Sequence, residues 1–206
     1  MIKVNGMGKT CPIPLIETKK AVKALTSPDV VEVMVDYSLA VKNITRYAID
    51  SGFKITTDKI SDKEYKLTIE VNEIRSEEEK KMAESCDACR ATDNTGNIVV
   101  AIGSDKMGCG DEKLGKNLMK AFIYSLSQAE VHPKTMLFYN GGANLTCEGS
   151  LSLPDLENLK ELGTKIYTCG TCLDFYGLKE KLKVGEVTNM YDIVSTMESA
   201  SLVVRP

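Results

Sequence analysis

Two strand-like segments on either side of a charged run say the most about how this chain can fold. In Glu64 to Val71, Tyr65, Leu67, Ile69 and Val71 alternate with polar residues, the period-2 pattern of a strand with one face buried. In Asn97 to Gly103 the apolar residues run without alternation, as a parallel strand covered on both faces requires. Between them lie Ser76-Glu77-Glu78-Glu79-Lys80-Lys81, a solvated charge run, and Asp93-Asn94-Thr95-Gly96, which is turn chemistry. The chain therefore reads as two domains, residues 1–73 and 96–206, joined by a charged linker over 74–95 whose length favours flexibility.

The first segment predicts a βαβαββ order. Ile2 to Asn5 reads as a strand, and Pro12 to Leu25 as a helix with Leu15, Thr18, Val22 and Leu25 at helical spacing. Val30 to Asp36 is β-branched and strand-like. Ser38 is placed to cap a second helix whose Val41, Ile44 and Ala48 share a face, closed by Gly52. Phe53 to Ile60 and Glu64 to Val71 complete a two-layer sandwich of sheet and helices. The second segment alternates strand and helix: Asn97 to Gly103, then Glu112 to Gln128 with Leu114, Leu118, Phe122 and Leu126 on one stripe, then Thr135 to Tyr139. Pro154 to Leu162, Thr164 to Thr168, a short helix near Leu173 to Gly177, Asn189 to Ser199 and Ser201 to Val204 follow. That order predicts an open parallel sheet with helices on both faces, so the whole chain is α/β.

Composition narrows the function. The 206 residues carry a formal net charge of -3, so no basic field points to nucleic acid. No apolar run approaches a membrane span and the N-terminus has no signal-peptide core, so the expectation is a cytoplasmic protein without membrane contact. There are seven cysteines and one histidine, His132. With a single imidazole, multi-His metal chemistry and a thiol–His nucleophile are disfavoured, and the thiols read as catalytic, redox-active or metal-binding.

Cys11-Pro12-Ile13-Pro14 is the first motif that carries chemistry. Proline is tolerated in the first turn of a helix, so two prolines at alternate positions set a helix start just after Cys11 and place that residue at the N-cap. Its sulfur then lies at the positive end of the helix dipole, beside the unpaired N–H of Ile13, where the thiolate is favoured. Lys9 adds positive potential, and Gly6 and Gly8 keep the approach free of bulk. A small cysteine buried at a helix start is the structural alternative.

Gly8-Lys9-Thr10-Cys11-Pro12-Ile13-Pro14-Leu15, with Thr18-Lys19-Lys20-Ala21, Val35-Asp36, Asn43-Ile44 and Ser51-Gly52, resembles the TusA (SirA) family of small sulfur-carrier proteins over residues 1 to 73. The resemblance implies that Cys11 carries a persulfide sulfur between donor and acceptor proteins; the helix start set by Pro12 and Pro14 and the charge of Lys9 are the supporting features read from the residues themselves. The chain departs from the sulfur-relay members in having no tryptophan in the second helix and Phe53 where they have a histidine.

Cys169-Gly170-Thr171-Cys172 directly follows a strand, and residues i and i+3 across small intermediates bring two sulfurs within disulfide range. In an open parallel sheet, reactive groups collect outside the carboxyl ends of the strands, where this motif falls. The helix that follows favours thiolate on the sulfur facing its N-terminus, and Gly170 leaves room for a substrate sulfur to approach the backbone. Two buried thiols at a tight turn is the plainer alternative. Ser104-Asp105-Lys106-Met107-Gly108, Asp111, Leu114-Gly115, Asn140-Gly141-Gly142, the motif itself with Leu173-Asp174-Phe175-Tyr176-Gly177-Leu178, and Val184-Gly185 with Asn189-Met190-Tyr191 are similar to the DsrE-like domain of YedF-type selenium metabolism proteins. That resemblance implies selenium or sulfur handling with Cys169 and Cys172 as a redox pair, and a homo-oligomer.

The remaining thiols say less. Cys86 and Cys89 in the linker could join Cys169 and Cys172 in a zinc site, but the gap far exceeds a zinc ribbon; a second redox pair, a landing site for sulfur, and inert thiols are the other readings. Cys109 follows a strand end, and Cys147 has only its loop position. Asp105, Asp111 and Asp174 form a possible carboxylate set, though each can equally cap a helix or turn. Glycine-rich loops at Ser104 to Gly110 and Asn140 to Asn144 match no nucleotide fingerprint.

The expectation is thus a chalcogen carrier, sulfurtransferase-like if enzymatic. Cys11 bears a transient cysteine persulfide or selenopersulfide, with no standing cofactor and no metal, and Cys169 and Cys172 accept or reduce it. Its partners are a cysteine desulfurase or other donor and an acceptor protein. The alternatives are a non-catalytic scaffold for a sulfur or selenium enzyme, with the second domain serving oligomerisation, and a thiol–disulfide redox regulator.

Overall fold

Val31, Val33 and Val35 are fully shielded from solvent while Val30, Glu32 and Met34 between them are not, and that alternation organises the first of two compact units. The computed structural model describes residues 1–72 and 96–206, and the units fall within Met1–Ala91 and Thr92–Pro206. The charged segment 74–95, with Cys86 and Cys89, lies outside the described residues.

The first unit runs β1 (Ile2–Asn5), α1 (Ile13–Lys23), β2 (Asp29–Val35), α2 (Ser38–Asp50), β3 (Lys54–Ser61) and β4 (Glu64–Val71). The sheet order is β1-β2-β4-β3, with β1 parallel to β2 and the other pairings antiparallel. Leu67 and Ile69 of β4 fall opposite Val33 and Val31 of β2 and share their buried face. The helices cover that face through Thr18, Ala21 and Val22 of α1 and Ala40, Ile44 and Ala48 of α2. Burying a side chain such as Ile44 contributes about 1.5–3 kcal/mol.

One local detail of α2 differs from expectation. Ser38 is the first helical residue and not the cap; Tyr37 occupies the N-cap in extended conformation and makes no side-chain cap bond. The C-terminus is as anticipated: Gly52 at φ 77 lets Phe53 N–H reach the Ala48 carbonyl and its own N–H reach Ile49, which satisfies two orphan carbonyls.

The second unit contains β5 (Ile98–Ile102), α3 (Glu112–Ser127), β6 (Thr135–Phe138), a 3-10 turn over Asn140–Thr146, α4 (Leu153–Glu161), β7 (Lys165–Cys169), α5 (Gly170–Phe175), a second 3-10 turn over Lys179–Lys181, β8 (Glu186–Thr188), α6 (Met190–Glu198) and β9 (Leu202–Val204). All pairings are parallel in the order β8-β7-β6-β5-β9. The non-alternating β5 is buried on both sides: Val100 and Ile102 pack with α3 and α4, while Val99 packs with Ile193 of α6. The core stripe of α3 is Gly115, Met119, Ile123 and Ser127, whereas Leu114 and Leu118 are exposed. Gly115 explains the rotation. A Cβ there would lie 3.0 Å from Lys106 Cβ and 3.2 Å from the Met107 carbonyl, so this face of the helix sits too close to the chain after β5 for a larger residue.

No helix among the described residues is long and apolar enough to cross a membrane.

Candidate functional site: an exposed thiol and a buried pair

Cys11 is exposed, at the turn that leads into α1. The Ile13 N–H donates to the Thr10 carbonyl at 3.0 Å, closing that turn around a cis Cys11–Pro12 peptide. The helix begins at Ile13 with Pro12 at the N-cap and Pro14 in the first turn, so Cys11 stands one residue outside the cap. The expected N-cap position is therefore corrected. Because the turn has already engaged the Ile13 N–H, that group does not serve the sulfur. The donor to Cys11 Sγ is instead the side-chain amide of Asn43 on α2, at 3.8 Å.

The loop before Cys11 is held from the far side. Gly6 N–H donates to the Met34 carbonyl at 2.8 Å, and a Cβ on Gly6 would lie 3.0 Å from each of Met34 O, Pro14 Cβ and Val35 Cγ1. Gly8, at φ 72, donates its N–H to Asp36 Oδ2 at 2.9 Å. Lys9 turns to Glu17, with Nζ 2.6 and 2.8 Å from the two carboxylate oxygens, so most of its charge is answered there. Gly8, Lys9, Thr10, Cys11, Asp36 and Tyr37 line a depression of about 260 Å³.

The second unit holds its thiols differently. Cys169 is the last residue of β7, an interior strand between β6 and β8, and is also the N-cap of the six-residue α5. It is 2% exposed, while Cys172, on the first turn of α5, is partly open to solvent. The Asn140 backbone N–H, from the loop after β6, donates to Cys172 Sγ at 3.0 Å. Asn140 has φ 49, the one positive φ among non-glycine residues described, and its side-chain oxygen accepts from the Tyr176 hydroxyl at 2.8 Å. Burial pushes the Cys172 thiol up; the Asn140 N–H opposes that and the neighbouring Cys169 adds to it. At this sulfur desolvation outweighs the donor, so the neutral thiol is favoured.

The bare side of Gly170 receives β8: a Cβ there would sit 3.0 Å from Val187 Cγ1. Cys147 is 1% exposed, packed with Ala143 and Leu173 in a cluster that Cys172 borders, and burial pushes its thiol up. Cys109 is exposed in the loop after β5. The three carboxylates do not act as a set. Asp111 caps α3 through the Leu114 N–H at 2.8 Å, Asp105 lies 3.7 Å from Lys116, and Asp174 lies 3.3 Å from Lys179.

The family model for sulfurtransferase TusA matches residues 2–71. Over 69 residues the chain is 32% identical to a Methanocaldococcus jannaschii protein described as a sulfur carrier, covering 34% of this chain and 92% of that one. The chain belongs to the TusA sulfurtransferase family. A crystal structure of a SirA-like protein from Desulfitobacterium hafniense shares 30% identity, covering 35% of this chain and 100% of that chain with a TM-score of 0.34. A Methanobacterium thermoautotrophicum protein of unknown function shares 19% identity over 53% of this chain and 97% of its own, with a TM-score of 0.42.

Membership gives the first unit a sulfur-carrier role, which entails donor and acceptor proteins. The TusA match ends with β4 and does not include Cys169 or Cys172. Sequence reasoning did not single out Asn43, Tyr37 or Asn140 as site residues. Asn43 and Asn140 each stand 32 residues from the sulfur they meet. Their only signal was that each fell within a stretch carrying a family resemblance.

Proposed function

We propose that Cys11 carries sulfane sulfur as a persulfide and that Cys172, with Cys169 behind it, accepts and reduces that sulfur. The observation that carries the reading is an exposed Cys11, in the TusA-family region, with an amide donor on its sulfur and an open depression beside it. In loading, the Cys11 thiolate attacks the terminal sulfur of a donor protein's cysteine persulfide. A new S–S bond forms at Cys11 as the donor's S–S bond breaks, and the donor leaves as a thiolate. The Asn43 amide is placed to stabilise Cys11 when it becomes the leaving thiolate in the next transfer.

Cys172 then attacks the carried sulfur, and its persulfide takes the place of the one on Cys11. Cys169 attacks Cys172 Sγ, forms the Cys169–Cys172 disulfide and expels hydrosulfide. The sulfane sulfur gains the two electrons that the thiol pair loses, and a dithiol reductant restores the pair. The order follows exposure: Cys172 is the sulfur a partner can reach, and Cys169 is buried behind it. A selenopersulfide passes through the same steps to hydroselenide. The parallel sheet, the thiol pair at a strand end and the resemblance stated above support a DsrE-like second unit and a YedF-type arrangement. Exposed Phe175, Val187, Met190 and Tyr191 around β8 and α6 suit that unit to self-association.

The test is hydrosulfide release from the full chain under single-turnover conditions with a cysteine desulfurase and cysteine. Cys169→Ser should stop release and leave persulfide on Cys172, and Cys172→Ser should leave it on Cys11. Release unchanged in both variants would overturn the role of the pair.

A further inference from the structure

Two buried side-chain polar atoms lack a hydrogen-bond partner among the described residues, Asp36 Oδ1 and the Tyr37 hydroxyl, and both belong to residues that line the Cys11 depression. Nearly all buried polar side-chain atoms in folded proteins are paired, so an unpaired hydroxyl beside an exposed thiol needs a reason. The fold does not supply one. Tyr37 occupies the N-cap of α2 with no side-chain cap bond, and its ring packs against the core of the first unit while the oxygen bonds to nothing. The neighbouring carboxylate is already half committed, because Asp36 Oδ2 accepts the Gly8 N–H that shapes the loop. Tyr37 and Cys11 line the same depression. Burial first, then a negative charge on Cys11, then Asp36, push its ionisation up, which keeps it protonated and able to donate.

We infer that the Tyr37 hydroxyl is the donor that receives the terminal sulfur of the Cys11 persulfide, which makes Tyr37 a positioning residue for the carried atom. This rests on the reading of Cys11 as the carrier. Asn43 meets Sγ itself, so the atom one S–S bond further out, about 2.05 Å away, needs a second donor. Of the charged groups that line the depression, Lys9 is held by Glu17 and Asp36 repels an anion, whereas the Tyr37 phenol is a donor that is both buried and unpaired. No bond is made or broken at Tyr37. It holds the terminal sulfur in one orientation and favours the persulfide anion.

The full chain and its Tyr37→Phe variant are loaded with inorganic polysulfide, and alkylation of the Cys11 persulfide is followed against pH by mass mapping of the Cys11 peptide. Loss of a charge-assisted hydrogen bond should raise the apparent ionisation of that persulfide by about one pH unit, roughly a tenfold loss of anion below it, with the urea midpoint no lower than in the parent. Identical titrations in the two proteins would overturn the inference and leave the carrier role of Cys11 standing. Failure of Cys11 to load in either protein would overturn both. A second readout uses the unmutated chain: the Tyr37 hydroxyl proton should shift in its NMR spectrum on loading, and an unmoved signal would also overturn the inference.

Discussion

The backbone N–H of Asn140 donates to Cys172 Sγ across 3.0 Å and joins the loop after β6 to the helix that follows β7. The bond depends on an uncommon backbone, since Asn140 has φ 49 and a left-handed conformation costs a residue bearing Cβ about 1–2 kcal/mol. Asparagine tolerates that region better than most residues, and here the Tyr176 hydroxyl also holds its side chain at 2.8 Å.

Asn140→Ala should therefore loosen the donor and move Cys172 alkylation to higher pH, whereas Asn140→Gly, which accepts positive φ freely, should keep the profile of the parent. Peptide-resolved alkylation across pH separates the two. An alanine variant indistinguishable from the parent would show that the bond does not tune the thiol.

Burial raises the Cys172 and Cys147 thiols above the ordinary value of 9.0. Below 9.0 both are neutral in the folded and unfolded chain and leave stability unchanged with pH. Above it the unfolded chain loses its protons first, so stability falls as pH rises from 9.0 through the folded values. Urea unfolding at increasing alkaline pH should show this decline, and Cys147→Ala should reduce it. A flat profile would contradict the assignment.

Gly142 allows the chain after β6 to pass against β5. A Cβ there would lie 2.2 Å from the Ile102 carbonyl oxygen, a backbone atom that cannot turn aside. Gly142→Ala should cost about 3 kcal/mol in urea unfolding, at the upper end of ordinary overpacking. It should also displace the neighbouring Asn140 from Cys172, so the alkylation profile of Cys172 should change with stability.

Lys9 pairs with Glu17 at 2.6 Å in a part-exposed setting, where such pairs contribute about 0–1 kcal/mol. Lys9→Ala should lower stability by no more than that and leave sulfur loading at Cys11 in place. Loss of loading would show that its charge serves the thiol directly.

The element order of the first unit was legible because its signals are local. Pro12 and Pro14 mark one helix start, Gly52 ends another, and Tyr65 to Val71 alternate where one face is buried. The errors arose where a distant neighbour decides. Leu114 and Leu118 have the right spacing for a core stripe, yet Gly115 faces inward because Lys106 and Met107 lie against it. β8 carries only Glu186, Val187 and Thr188, none of them buried, so no hydrophobic pattern announces it. The thiols of the proposed mechanism were legible as motifs. The donors that meet them were not, since Asn43 and Asn140 reach Cys11 and Cys172 only through the fold.

The central claim is tested most directly by locating the carried sulfur. The reduced full chain is incubated with a cysteine desulfurase and cysteine, quenched by alkylation at short times, digested and mapped by mass. The account predicts one added sulfur on the Cys11 peptide first, passing to Cys172 in the Cys169→Ser chain, with no loading of either site in Cys11→Ser. Sulfur that reaches Cys172 as readily in Cys11→Ser, or that never appears on Cys11, would contradict it.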